Sequence, residues 1–328
     1  MAEDKYTSVK DVIEPELFSQ YVLERTAEKS EIMFNGVIEN NPELNRLVSG
    51  GGTILTMPKW NDLSGKSQVF TESKDIEVSG ITSHKELATL LLRANAWGSH
   101  DLAGALAGDD PMKRIATLVS DWWIRDEKSI VISILKGVTS ADSMKDHVYG
   151  SDDSLKPISA NDVLNAKQLL GDASDLLTMM YMHSATFTEL QKQNVIQFIP
   201  AAESKIAIPT YLGYRVIYDD SCPVNYEASS STIKSYNTFL LAKGAIQRGS
   251  GVPAKFVSTE TDRDSLGSKD VLVNRQAKVL HPKGMSWVGV SSIEAETPSD
   301  EELANGEYWE RVAESKKVGI VKMIHSLS

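Results

Sequence analysis

One long amphipathic helix is the feature that most constrains the fold of this chain. The run Gly108-Asp109-Asp110-Pro111 joins an N-cap residue, Asp110, to a proline at the first helical position. Gly137 then acts as a helix stop, so the pattern predicts a helix over 111–136, about 39 Å long. Such a helix spans a whole domain, and its apolar residues are Ile115, Val119, Trp122, Trp123, Ile130 and Ile134.

Strand signals surround this helix and predict an α+β protein with a central sheet. Residues 53–58 and 86–93 predict the two strands of a long hairpin, because the connection between them is too long for a tight turn. An isolated hairpin is marginally stable in water, so we expect this one to lean on a neighbour. Further strands are predicted at 175–182, 214–220, 237–246 and 271–290, and further helices at 159–170 and 184–193.

The first fifty residues predict an arm. An amphipathic helix opens at Pro15, and the runs Asn40-Asn41-Pro42 and Ser49-Gly50-Gly51-Gly52 are predicted to break the chain after it. The helix has no partner helix nearby, so we expect its apolar side to pack on a distant part of the chain or on another subunit. That side carries Leu17, Phe18, Tyr21 and Val22.

Composition excludes several classes of protein. With 34 basic and 45 acidic residues the net charge is −11, so a dedicated nucleic-acid binder is disfavoured. The single cysteine, Cys222, excludes an intramolecular disulfide framework and fits a reducing compartment. The polar, acidic start does not resemble a secretory signal, and no apolar run approaches the ~20 residues of a membrane span. We therefore expect a soluble intracellular protein without a membrane partner.

The sequence contains no recognisable group of catalytic or metal-binding residues. The six histidines are scattered, and no zinc motif or nucleophile elbow is present. His183-Ser184 could pair a base with a nucleophile, but Ser184 is predicted to cap a helix. The best acid pair is Asp219-Asp220 at a strand end, where a solvated turn is favoured, and Cys222 is interpreted as an inert thiol. The prediction is therefore a non-enzyme with no catalytic, cofactor-binding or metal-binding residues and no cofactor.

The order of the segments is similar to that of a known family. The sequence resembles the major capsid proteins of tailed bacteriophages, which have the Hong Kong 97-type fold, and most of all the coat proteins of long-tailed phages of Gram-positive bacteria. The resemblance covers nearly the whole chain and weakens after about Ser291. It rests on segments that include 16–22, 50–60, 96–103, 108–112, 183–185, 190–194, 208–213 and 279–282.

This resemblance implies a structural protein that assembles into an icosahedral head shell around the double-stranded DNA genome. It also implies a division of the α+β chain into the parts of the Hong Kong 97-type fold. These are an N-terminal arm (1–50), an extended hairpin loop (51–93), a peripheral domain in two parts (94–155, with the spine helix 111–136, and 272–328, with the C-terminal tail) and an axial domain (156–271).

The resemblance further implies partners and a location. The chain would form hexamers and pentamers with copies of itself and would contact a portal protein and, as a further candidate, a decoration protein. The arm begins within about ten residues of Met1, which implies a separate scaffolding protein rather than a fused one. DNA would be enclosed without sequence-specific binding. The protein would be part of the virion, made and assembled in the host bacterial cytoplasm.

Three alternatives remain open on the sequence. An encapsulin-like bacterial shell protein shares the fold but has a shorter arm. A soluble α+β hydrolase would use Asp219 and Asp220 and would need a base that the sequence does not reveal. A tail or portal component lacks the order of spine helix and hairpin. Covalent crosslinking, known in some relatives, is not carried over, because Lys59, Lys66 and Lys74 of the hairpin have no identifiable asparagine partner.

Overall fold

The computed structural model describes residues 36–60, 63, 65–69, 75, 78–81, 83–102, 111–151, 155–193, 195–200, 207–226, 233–291 and 295–327. The predicted arm helix from Pro15 and the predicted cap Asp110 lie outside these residues. The helices are α1 (Pro42–Gly50), α2 (Pro111–Ser140), α3 (Ala160–Gln168), α4 (Ser184–Lys192) and α5 (Asp300–Leu303). Each helix within the described residues is too short or too polar to span a bilayer.

Strands make up most of the remaining regular structure. The first nine are β1 (Ile38–Asn40), β2 (Ile54–Trp60), β3 (Ser83–Thr89), β4 (Leu91–His100), β5 (Val148–Tyr149), β6 (Leu177–Met182), β7 (Gln197–Pro200), β8 (Ala207–Tyr211) and β9 (Tyr214–Tyr218). The others are β10 (Val224–Tyr226), β11 (Ile233–Ala242), β12 (Ile246–Gly251), β13 (Thr259–Asp264), β14 (Lys269–Pro282), β15 (Met285–Trp287), β16 (Trp309–Arg311) and β17 (Ile320–His325).

The long helix is present but extends past its predicted end. Helix α2 contains 30 residues, which corresponds to about 45 Å. The prediction that Gly137 stops the helix is wrong, because the helix continues to Ser140. Gly137 instead allows a close approach: a Cβ there would collide with the Leu303 carbonyl oxygen and lie 2.8 Å from Nε1 of Trp309. The glycine therefore serves packing of the C-terminal segment on the helix.

A five-stranded sheet is organised around β14, the longest strand. Strand β4 pairs with β14 from Leu91↔Lys278 to His100↔Lys269, while β12 and β13 pair with its other edge. Strand β1 joins this sheet in parallel to β12. The sheet therefore collects strands from both sides of α2 in the sequence.

An eight-stranded sheet forms the second layer of the body. Its order is β5-β17-β11-β6-β9-β8-β7, with β10 also on β11. Strand β17 belongs to the predicted C-terminal tail, and it lies inside the sheet between β5 and β11. Helices α3 and α4 cover one face through a core of apolar residues, whereas the C-terminal half of α2 packs on residues such as Met179 and Phe239.

Two predicted strands are each divided between sheets. The strand predicted over 237–246 is β11 followed by β12, because the chain turns at Lys243-Gly244, where Gly244 has φ +65°. The return strand predicted over 86–93 likewise ends at Thr89, and β4 begins at Leu91 in the five-stranded sheet. Both predictions missed a change of sheet, because apolar residues lie on each side of both junctions.

Residues 36–50 belong to the body, although the break at Asn40-Asn41-Pro42 placed them in a separate arm. Here β1 pairs with β12, and the Asn41 side chain accepts the Glu43 amide at 2.9 Å to cap α1. Pro42 stands at the start of that helix. Asparagine at the cap followed by proline is a helix start as well as a break signal, and the helix is held because Leu44 and Val48 are buried.

Candidate assembly surfaces

The hairpin is a two-stranded sheet that is separate from the two large sheets of the body. Strands β2 and β3 pair from Ile54↔Thr89 to Trp60↔Ser83 and, within the described residues, with no other strand. The predicted hairpin is thus confirmed over its base. Its connection to the body is direct, because β4 begins two residues after β3 ends.

One face of the hairpin base is buried on its own subunit. Leu55, Met57 and Ala88 share an apolar cluster with α1 and β14. The Leu87 amide also donates to Ser286 Oγ of β15 at 3.1 Å. The base is therefore fixed by packing and by at least one hydrogen bond to the body.

From the last pair of the base outward, apolar side chains are exposed. Trp60 is 68% exposed and Val78 is 95% exposed, and other exposed apolar residues there are Leu63, Val69 and Ile81. Exposed apolar groups gathered on one element mark an interaction site more often than scattered single ones. The described residues of the hairpin thus present a surface suited to a contact with another molecule.

The long helix is bound to the five-stranded sheet by buried charges. Glu127 accepts two hydrogen bonds from Arg248 of β12, at 2.9 and 3.2 Å, and both side chains are almost fully buried. Lys278 of β14, also fully buried, donates to Asp126 at 2.9 Å. Breaking such a pair would leave an uncompensated buried charge, so the pairs fix the position of the helix on the sheet.

Of the two adjacent tryptophans, only Trp123 is fully buried. Its Nε1 donates to Asn274 at 2.7 Å, and Lys278 Nζ lies 5.2 Å from the centre of its ring. Trp122 is half-buried and sits edge-on between Trp97 and Trp123, with ring centres 5.3 and 4.8 Å apart. Trp123 is therefore a core residue, whereas Trp122 lies at the edge of the core.

The acid pair Asp219-Asp220 lies just after β9, as predicted, and both carboxylates have structural partners. Asp219 pairs with Lys128 of α2 and accepts the Ser221 amide at 2.8 Å. Burial raises the pKa of Asp219, but Lys128 and Ser221 outweigh it, and the net pKa lies below the usual value. Asp220 accepts a hydrogen bond from Ser184 Oγ. These contacts tie the sheet to the two helices α2 and α4.

The prediction that Ser184 caps α4 is wrong. His183 is the cap: its Nδ1 accepts the Ala185 amide at 3.1 Å, and its ring packs edge-on against Tyr236. The imidazole therefore holds the helix start. In the described structure its Nδ1 is hydrogen-bonded to this backbone amide and does not pair with Ser184 Oγ as a base would.

Cys222 is buried, and its thiol donates to the Asn237 carbonyl at 3.1 Å. Burial raises the pKa of this thiol well above its usual range, so the thiolate is disfavoured. Among the described residues, no group of three or more histidine, cysteine or acidic side chains has the geometry of a metal site.

Sequence reasoning missed the charged contacts that position these surfaces. Glu127 lies one helical turn from both Trp123 and Ile130, so a charge on the apolar side of α2 was a visible signal. Its partner Arg248 is far away in sequence and could not be identified from spacing. Glu86 of β3, which is 3% exposed, was missed for the same reason: its neighbour His281 lies in β14.

A body of two sheets joined by one long helix, with an extended hairpin, defines the class of the Hong Kong 97-type capsid proteins. Solved phage capsids share this fold. The capsid of Ralstonia phage GP4 aligns with a TM-score of 0.60 at 10% identity, over 90% of this chain and 88% of that one. The capsid asymmetric unit of cyanophage Pam1 aligns at 0.56 with 12% identity, over 90% and 92% of the two chains.

Sequence comparison identifies the family. Residues 117–319 match the family described as Gp13-like, Major capsid protein 13-like. The chain is also 43% identical over 327 residues to the major capsid protein of Bacillus phage SPP1, covering 98% of this chain and 99% of that protein. The chain belongs to the Gp13-like family of phage major capsid proteins.

The predicted resemblance, fold class and function are therefore confirmed: this is a structural protein that forms a phage capsid shell, and hence a component of the virion. Family membership favours the capsid role over the encapsulin, hydrolase and portal alternatives.

Proposed function

We propose that this chain builds the icosahedral head of a tailed phage as hexamers and pentamers, and that its hairpin supplies a principal contact between neighbours. The observation that carries this proposal is the hairpin itself. Its base is fixed on the body, while its exposed apolar residues, including Trp60 and Val78, have nothing on their own subunit to cover them in the described structure. A neighbouring copy would bury them.

The two sheets suggest how the proposed domains divide the chain. We assign the five-stranded sheet and α2 to the peripheral domain, and the eight-stranded sheet with α3 and α4 to the axial domain. This division moves the end of the main axial segment from Val271 to Ala242, because β12 and β13 pair with β14. It also assigns β17 to the axial domain. The extended loop is then centred on 54–89, with its junction to the body at Leu90.

The proposed arm is shorter than the fifty residues predicted. Residues 1–35 would supply it, because β1 and α1 belong to the body. The apolar residues Leu17, Phe18, Tyr21 and Val22 would then bind an adjacent subunit or its hairpin. Removal of 1–35 should leave a folded body that no longer closes into shells.

The proposed cargo is double-stranded DNA, enclosed without sequence-specific contacts. The net charge of −11 supports this, because an acidic wall repels the phosphate backbone and leaves the genome mobile for ejection. A separate scaffolding protein, a portal protein and, as a further candidate, a decoration protein are the partners that this role requires. Assembly would take place in the cytoplasm of the host bacterium.

Electron microscopy of the purified full chain, co-expressed with its scaffolding protein, tests the hairpin contact. The double variant Val69→Ser, Val78→Ser should form few or no shells, whereas Leu164→Ser, a matched change at a half-exposed leucine of α3, should assemble normally. Far-ultraviolet circular dichroism should show the same folded body in both. Normal shells from the double variant would contradict the proposed role of the hairpin.

A further inference from the structure

The turn between β13 and β14 presents a leucine to solvent. It covers residues 265–268, and Leu266 at its tip is 98% exposed. Leu102, which is 61% exposed, lies at the same end of the sheet, because the Asp101 amide donates to the Ser268 carbonyl at 3.0 Å. Two exposed leucines therefore share one end of the five-stranded sheet, on elements other than β2 and β3.

Hydrogen bonds fix the position of this turn on the sheet. Within the turn, Asp264 Oδ1 accepts the Leu266 amide at 3.1 Å. At its base, Arg263 donates to both carboxylate oxygens of Asp101, at 3.2 and 2.6 Å, and to both of Asp270, at 2.9 and 2.8 Å. The leucine is thus held in a defined position, so a partner that binds it would not bear the cost of ordering a flexible loop.

The same end of the sheet carries one acid and one base that are not paired. Asp262 of β13 and Lys269 of β14 are both exposed, and no side chain in the described part of the chain forms an ion pair with either of them. An exposed leucine with an unpaired acid and an unpaired base beside it is complementary to a second copy of itself.

The edge of the sheet beside the turn is unsuited to strand addition. In the described structure β13 pairs with β14 alone, so its other side is a sheet edge. That edge strand carries Glu260 and Asp262, and charged side chains along an edge oppose pairing with a strand of another chain. A contact at this end of the sheet would therefore use the side chains of the turn.

We propose that this turn is a contact between copies of the chain in the shell, in which the Leu266 side chains of adjoining copies pack together and Lys269 of one copy pairs with Asp262 of the next. The contact rests on the proposed icosahedral shell and is separate from that of the β2–β3 hairpin. Closed symmetric assemblies bring identical surfaces together around their axes, which is the arrangement that a self-complementary turn fits.

The contact is too small to join two free subunits. A few side chains on each copy bury far less than the roughly 1,200 Å² of a stable interface. The turn would contribute only where other contacts already bring copies together, because linked contacts raise the effective concentration of each one. We therefore expect free subunits not to associate through this turn.

Exchange of the two charges tests the pairing. The full-length chain is co-expressed with its scaffolding protein, and shells are counted by electron microscopy. Lys269→Asp should lower the yield of shells about tenfold, because it places like charges opposite each other in every copy. The double variant Asp262→Lys, Lys269→Asp should restore the yield, since it re-forms the pair with its charges exchanged. Lys283→Asp, the same change at an exposed lysine just beyond the other end of β14, should leave the yield unaltered.

A crosslink tests the leucine contact directly. Leu266→Cys keeps a small apolar side chain at the tip and places a reactive thiol on the surface, whereas Cys222 is buried. A short bismaleimide should link pairs of copies in assembled shells and should link none in free subunits. Shells of Lys283→Cys, treated in the same way, should remain unlinked.

Normal shells from Lys269→Asp, a double variant that does not restore the yield, or Leu266→Cys shells without linked pairs would overturn this contact. Urea denaturation of free subunits shows whether the charge variants fold. If they do not, the crosslink still decides, because a change at a side chain this exposed leaves the packing of the subunit intact. Absence of shells from the original chain would instead contradict the proposed function, and the contact with it.

Discussion

The long helix and the hairpin are held in place in opposite ways. Helix α2 buries Trp123, Ile130 and Ile134 between the two sheets and is pinned by buried ion pairs such as Glu127–Arg248. The hairpin pairs only with itself in the described structure, and beyond its base it exposes apolar residues. The helix therefore owes its stability to its own subunit, whereas we propose that the outer hairpin is stabilised by another copy. The comparison distinguishes the contacts that stabilise the folded subunit from the surface that we propose assembles the shell.

The largest effect expected on subunit folding is at Trp123. Trp123→Ala removes a fully buried ring and leaves Asn274 without its indole partner, so we expect a loss of about 3–5 kcal/mol in the free energy of unfolding. Trp122→Ala is the matched control, with a smaller loss because that ring is half-buried. Urea denaturation of both variants measures the difference. Equal losses would show that the core side of α2 has been assigned wrongly.

The next effect is at Gly137, where the helix meets the C-terminal segment. Gly137→Ala places a methyl group against the Leu303 carbonyl and the Trp309 ring, and overpacking of this kind costs about 1–3 kcal/mol. If the glycine were only a poor helix former, alanine would stabilise the helix instead. The sign of the change in thermal midpoint thus distinguishes the two interpretations.

A smaller effect concerns pH and strand β17. His147 Nδ1 donates to the Ile320 carbonyl at 2.8 Å, and His325 Nε2 accepts from Thr238 Oγ1 at 2.9 Å. Burial lowers the pKa of both imidazoles below their usual value of 6.5. The folded state then binds fewer protons than the unfolded state, so stability is full above about pH 6.5 and falls as the pH is lowered.

Urea denaturation at pH 8, 6.5 and 5 checks this pH dependence. Each histidine should contribute about 1.4 kcal/mol for every unit by which its pKa is lowered. His147→Gln with His325→Gln should flatten the profile. A stability that rises on acidification to pH 5, in the absence of assembly, would contradict the neutral state of these side chains.

The smallest effect on folding is expected in the outer hairpin. Val69→Ser and Val78→Ser change exposed side chains, so the free energy of unfolding of the subunit should stay within about 0.5 kcal/mol of the original. The same changes should sharply reduce shell yield, because they remove the apolar groups that we propose a neighbouring copy buries. A large loss of subunit stability would mean that these residues pack on their own chain.

The sequence predicted the helices whose start is set by a nearby capping residue or proline. Pro111 and the apolar spacing of α2 predicted the helix, and the helix predicted from Ser159 is α3, where Ser159 is the cap and accepts the Asp162 amide. The acidic helix α5 has its capping box between Ser299 and Glu302. Each of these signals operates within one helical turn, which is the range that a single sequence reveals.

The predictions that failed concern features that depend on distant parts of the chain. Gly137 was taken for a stop because nothing nearby shows that Trp309 approaches it. The changes of sheet at Gly244 and Leu90 depend on pairing with β14, and the contact of Glu86 is with His281, 195 positions further on. The resemblance to capsid proteins succeeded where spacing could not, because it uses the order of segments along the whole chain.

Amide hydrogen exchange on free subunits and on assembled shells tests the central claim most directly. Peptides covering 61–82 should exchange fast in the free subunit and become protected in the shell, because we propose that neighbours cover exposed residues such as Val69 and Val78. Peptides from 115 to 135 of α2 should be protected in both states. Equal protection of 61–82 before and after assembly would show that the hairpin folds back on its own subunit and would contradict the account.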